Sequence, residues 1–139
     1  VNGYGRDNFE PLDLDATLTP HDVDRLIRRI HNAIAYAERD LRQCRDAEVK
    51  TEKAYFLTRA PLLDNPNCPE PNKNKGVTKT DRDEWINVRI PDAYWAFREA
   101  KMLRQGAEDY WWSLKEQVKC LQSINSIVKQ MYDLAGRHG

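Results

Sequence analysis

The side chains of this chain best suited to chemistry are basic. Arg25, Arg28, Arg29, Arg39, Arg42, Arg45, Lys50, Lys53 and Arg59 follow one another along residues 25–59. Tyr55 and Phe56 stand between Lys53 and Arg59, and Lys73, Lys75 and Lys79 follow further on. Guanidinium and ammonium groups hold phosphate oxygens, and aromatic rings stack on bases, so this mixture suits a groove for single-stranded nucleic acid. A solvated helix face carries the same charges, and Tyr55 and Phe56 are equally suited to a helix seam.

Catalysis finds little support. There is no GxSxG, HExxH, P-loop or glycine-rich dinucleotide turn. His21 and His31 have no nucleophile beside them. Asp81, Asp83 and Glu84 form an acidic cluster, as do Glu48 and Glu52 with Glu108 and Asp109. Magnesium-dependent all-α pyrophosphohydrolases pair Glu-rich motifs on facing helices, and these clusters match that arrangement poorly. Carboxylates at a helix start serve its dipole instead. No enzyme, no metal site and no cofactor is expected.

The 139 residues carry 22 basic and 22 acidic side chains, so a uniformly cationic nucleic-acid binder is excluded and any anion-binding face must be local. The charge is uneven. Residues 1–24 hold one basic and six acidic residues, a net of −5, whereas residues 25–60 hold nine basic and five acidic, a net of +4. Cys44, Cys68 and Cys120 are odd in number and lack zinc spacing. Cys44 and Cys120 read as small core residues, in a pattern of a reducing compartment. With no secretory signal, no transit-peptide composition and no apolar run long enough for a bilayer, a cytoplasmic protein with no membrane partner is expected.

The elements that must carry these residues are helices. Val23, Ile27, Ile30, Ile34, Ala37, Leu41 and Cys44 alternate steps of four and three, with Leu26 and Ala33 widening the stripe. Thr19 and Pro20 give this helix an N-cap and a proline at its first position. The seam falters at Glu48 and Thr51, restarts at Tyr55, and is expected to end near Arg59 because of Pro61. Residues 61–79 are rich in Pro and Asn and predict a mobile loop. Thr80 to Asp83 suggests a capping box for a short helix over about 81–88. Pro91 opens a second long helix of about twelve turns, with seam residues Tyr110, Leu114, Gln117, Leu121, Ile124, Val128, Met131 and Ala135, and Gly136 placed as its terminator.

The expected fold is all-α: a long antiparallel, coiled-coil-like helical hairpin with a short third helix and an extended N-terminal arm. Residues 1–18 form the acidic arm, and 19–139 a single hairpin domain with its loop at 61–79. Trp111 and Trp112 diverge by about 100° around the helix. Either one faces the seam and the other a neighbouring subunit, or both flank one wide core. Asn125, among Leu121, Ile124 and Val128, either fixes register or faces solvent.

Two stretches carry a family resemblance. Glu48 to Arg59 resembles the basic helix end, ahead of a polar loop, of phage recombination mediators of the UvsY type. Leu114 to Gly136 is similar to the C-terminal helix through which that family assembles. Together they cover about a quarter of the chain. The acidic arm and the Pro/Asn loop have no counterpart there. The resemblance implies a non-enzymatic homo-oligomer that binds single-stranded DNA and helps load a recombinase, in the host-cell cytoplasm if phage-encoded. Lys50, Lys53 and Arg59 would then contact phosphates and Tyr55 would stack a base. Leu121, Ile124, Val128 and Met131, with Trp111 and Trp112, would form the oligomer interface. The competing expectation is a helical adaptor or inhibitor that engages a protein partner, its acidic arm mimicking DNA, and binds no DNA itself.

Overall fold

The computed structural model describes residues 18–138. The order is α1 (Pro20–Leu63), a 3-10 turn (Lys73–Lys75), α2 (Lys79–Arg89) and α3 (Pro91–His138), with no strand among the described residues. The long helices α1 and α3 pack against each other as the hairpin expected from the sequence. The N-terminal arm lies outside the described residues.

α1 begins where the sequence places it. The Asp22 amide donates to Thr19 Oγ1 at 3.2 Å, and the Thr19 amide donates back to the Asp22 carboxylate at 3.2 Å. Two otherwise orphaned donors are thereby satisfied, with Pro20, which has none, in the first turn. These hydrogen bonds hold the Asp22 carboxyl below its ordinary pKa. At the other end the expected stop near Arg59 needs correction: the helix continues through Pro61 to Leu63. Proline removes one helical donor and crowds the carbonyl four residues back, here that of Leu57. With only two residues left, and Leu57 itself exposed, the interruption ends the helix rather than breaking it.

Residues 61–79 also differ from a loop without structure. Asn72 caps the 3-10 turn by accepting from the Asn74 amide at 2.9 Å, and Asn72 and Val77 pair across it. Gly76 closes the turn at φ +72°, a left-handed conformation that glycine adopts without steric cost. The capping box of α2 sits two residues earlier than Thr80. Thr78 Oγ1 accepts from the Asp81 amide at 3.1 Å, and the Asp81 carboxylate accepts from the Thr78 amide at 2.9 Å. Gly136 is not a terminator either. It lies inside α3 without the positive φ of a helix-ending glycine.

The described residues form two compact units, one of residues 18–41 with 106–138, the other Arg42–Gln105. In the first, Ile30, Ala33 and Ala37 of α1 meet Leu114, Val118 and Leu121 of α3 in one buried cluster, flanked by Leu26, Ile27, Ile34, Tyr110, Trp111 and Ile124. Asp24 accepts from Asn125, and Glu38 accepts from Trp111, both at 3.3 Å. Those two pairs run in opposite directions along the two helices, so the strands of the hairpin are antiparallel here. In the second unit Ile86 of α2 is fully buried, and Tyr55 and Ala100 are nearly so. Removing such side chains from water is the main stabilising contribution of both units.

Candidate nucleic-acid interface

Around α1 the second unit sorts its side chains by chemistry. Arg42, Arg45, Lys50 and Lys53 are exposed. Of the three acids in that stretch, Asp46 is exposed, but Glu48 and Glu52 are half-buried on the inner side. Glu48 fills the place where the heptad falters, and it does so as an ion: its carboxylate accepts from Arg104 Nε and, at 3.3 Å, from Arg104 Nη2. That hydrogen bonding holds the Glu48 carboxyl below its ordinary pKa, against an opposing push from burial. Thr51, the other irregular seam residue, satisfies its hydroxyl on the Ala47 and Glu48 carbonyls.

The four residues expected to bind nucleic acid divide into two pairs. Lys50 and Lys53 point outward with the arginines. Tyr55 is 8% exposed, and its hydroxyl donates to Asn87 Oδ1 at 2.6 Å. Its ring packs on Phe56, Tyr94 and Phe97 at centroid separations of 5.4, 6.3 and 5.6 Å. A base cannot stack on a ring enclosed in this way, so the role expected of Tyr55 is corrected: it is a core residue. Burial raises its phenol pKa, because a phenolate would lose its hydration. Arg59 is likewise turned inward. Its guanidinium pairs with Asp83 at 2.6 Å, with the arginine side chain 15% exposed, and so ties α2 to α1. Its role is structural in this arrangement.

Phe56, the neighbour of Tyr55, is the ring that faces out, at 48% exposure. Val49 and Leu57 are exposed on the same side. The heptad contained this distinction: Tyr55 continues the seam positions, and the residue after it falls about 100° away.

Of the interface expected on α3, Leu121 is buried in its own chain's core and Ile124 packs against that core. Val128 is half-buried and Met131 is 63% exposed. Trp111 and Trp112 do diverge. Trp111 lies inward, hydrogen-bonded to Glu38 with the Lys115 ammonium 4.0 Å from its ring centre, while Trp112 is 51% exposed. Asn125 is half-buried and donates to Asp24, which suits a register-fixing residue within the hairpin. Cys44 is half-buried, but Cys120 is exposed and is not the core residue expected.

No group of three or more His, Cys, Asp or Glu side chains suited to a metal occurs among the described residues. Asp81 serves the α2 cap and Asp83 the ion pair with Arg59. No helix among the described residues is long and apolar enough to cross a membrane. Comparison with protein-family models finds no match, and neither do comparisons with curated proteins or with solved structures.

Proposed function

We propose that this is a non-enzymatic helical accessory protein that binds single-stranded DNA on the outer face of α1 and assembles with copies of itself. The observation that carries the reading is the separation of charge between Arg42 and Lys53. Four cations are exposed there, while two of three acids turn toward the interior. Charge sorted in this way gives a locally cationic face on a chain of zero net charge. The recombinase partner rests on the resemblance to UvsY-type mediators in Glu48 to Arg59 and Leu114 to Gly136. The mechanism is passive: the basic face holds the strand extended while the partner displaces what coats it.

Self-association is supported by the end of α3. Ile127, Met131, Tyr132 and Leu134 are exposed there, and Lys129 is the one charged residue from Cys120 to Tyr132. Apolar, charge-poor surface of this kind is typical of interface cores. The self-assembling residues are accordingly placed at Val128 and Met131, with Ile127 and Leu134 beside them, rather than at Leu121.

A second reading, a protein-binding adaptor that ignores DNA, is favoured by a different surface. Trp95, Met102 and Leu103 are exposed on one side of α3, beside a shallow groove lined by Cys44, Ala47, Ala96 and Ala100.

Light scattering for mass, combined with anisotropy titrations of labelled oligo-dT at several salt concentrations, separates the two. The DNA-binding reading expects an oligomer whose affinity falls steeply with salt. In Lys50→Ala/Lys53→Ala the slope of log K against log salt should shrink by about 1.4, the loss of two single-strand phosphate contacts. A monomer or dimer with no affinity for oligo-dT at low salt would refute it and leave the adaptor.

A further inference from the structure

We infer that Phe56 is a base-stacking platform, so that the outer face of α1 selects nucleic acid with unpaired bases over phosphate charge alone. The inference rests on the DNA-binding reading above and adds to it the feature that distinguishes a strand with accessible bases from any other polyanion.

Three observations carry it. The first is placement. Counting about 100° per residue, Arg42, Arg45, Lys50, Lys53 and Phe56 fall within an arc of about 140° around the helix. All five are exposed, and Tyr55 and Arg59 lie on the other side, inside the unit. Phe56 stands one turn beyond Lys53, about 4.5 Å along the axis. A strand whose phosphate meets that ammonium brings its next base within reach of the ring.

The second is pre-organisation. The Phe56 ring packs edge-on against Tyr55 at 5.4 Å, with an interplanar angle of 65°. The Arg59 guanidinium carbon lies 5.9 Å from its centre. Both neighbours are themselves fixed, Tyr55 by Asn87 and Arg59 by Asp83. An exposed aromatic ring braced in this way loses little freedom when a ligand covers it, which favours binding.

The third is charge complementarity. From Arg42 to Lys53 the exposed face holds four cations against Asp46 alone, and Val49 and Leu57 add exposed apolar surface next to the ring. A single strand offers a regular row of phosphates and apolar base faces, which matches both. A duplex offers the phosphates but keeps its bases stacked, and opening a step is costly. From Arg42 to Phe56 the face runs about 21 Å along the helix axis, room for a few nucleotides of a strand held extended.

The test compares three labelled ligands of equal phosphate number, oligo-dT, an abasic oligonucleotide and a duplex, on the full-length protein. Wild type should bind oligo-dT about five- to a hundredfold more tightly than the abasic strand. Phe56→Leu keeps apolar bulk but removes the π face. It should bind both strands equally, with the salt slope of wild type, while Phe56→Tyr keeps the preference. Lys50→Ala/Lys53→Ala should lower the salt slope but retain the ratio between oligo-dT and the abasic strand. Circular dichroism and a melting curve establish that each variant is folded; an unfolded Phe56→Leu is replaced by Phe56→Met in the same comparison. A wild type that binds both single strands equally, or a folded leucine or methionine variant that keeps the preference, overturns the stacking role and leaves the DNA-binding reading intact. A wild type that binds none of the three ligands overturns both.

Discussion

Replacing Tyr55 by phenylalanine tests the assignment on which the rest of the interface depends. The substitution keeps the ring and removes one oxygen, which donates to Asn87 at 2.6 Å in a residue 8% exposed. A neutral hydrogen bond contributes about 1 kcal/mol net, and a buried acceptor left without its donor costs more. Asn87 is half-buried, so water can partly replace the phenol and the expected loss stays at about 1 kcal/mol. For a chain of this size that lowers the melting temperature by about 3–5 °C. Urea unfolding followed by circular dichroism measures it. The same variant should bind oligo-dT as wild type does, because the Tyr55 ring faces Phe56, Tyr94 and Phe97 rather than solvent. An alkaline series adds an independent check. Burial raises the phenol pKa above 10.0, so above that pH the folded chain retains a proton that the unfolded chain has lost. The contribution is therefore complete below pH 10.0 and declines as the pH rises beyond it. The stability gap between wild type and Tyr55→Phe should narrow there. Unchanged stability together with weakened oligo-dT binding would refute the reasoning and return Tyr55 to the surface.

Glu48→Gln should destabilise the chain near neutral pH by about 1 kcal/mol or less, since the pair with Arg104 is partly solvated. Glu48 has a lowered pKa, so its contribution is full above the ordinary value of 4.5 and is lost as pH falls through the lower folded value. Acid titration of both proteins should show the difference disappearing well below pH 4.5; a constant difference would exclude the ion pair as its source. Leu114→Ala, at a side chain 1% exposed in the core of the first unit, should cost about 2–5 kcal/mol in denaturant unfolding, and a loss under 1 kcal/mol would contradict that packing. Gly76→Ala should cost about 1 kcal/mol. A Cβ at Gly76 meets no atom within 4 Å, so the cost is that of the φ of +72° alone. Stability equal to wild type would mean that the 72–77 turn does not hold that conformation.

Much of the fold was legible because helical periodicity is a local property. The four-three spacing from Val23 to Cys44 identified the buried side of α1, and Thr19 with Pro20 marked its first turn. Pro91 marked the start of α3 in the same way. Errors arose where the outcome depends on what happens next to a residue rather than on its type. Pro61 stops a helix only as far as the turns after it would have mattered, and Gly136 ends one only with a positive φ. Thr78 and Thr80 each have an Asp three residues later; Asp81 turns back to the Thr78 amide, whereas Asp83 pairs with Arg59. Val118, omitted from a strict heptad, is buried because the stripe in the first unit is wider than a two-stranded seam.

The candidate interface was less legible, for a related reason. Sequence alone determined that this chain is helical, that its cations concentrate on residues 25–59, and that aromatic residues accompany them. It left Tyr55 and Phe56 equally suited to the seam, and burial separates them, Tyr55 inside and Phe56 facing out. Which side is the inside is a property of tertiary packing. α2 supplies Asn87 to Tyr55 and Asp83 to Arg59, and Arg104 supplies the countercharge to Glu48 across 56 positions of sequence. Such partners are set by the path of the chain, and no local pattern encodes them. They draw Tyr55, Arg59 and Glu48 inward and leave Arg42, Arg45, Lys50, Lys53 and Phe56 facing water, where a charged ligand can reach them.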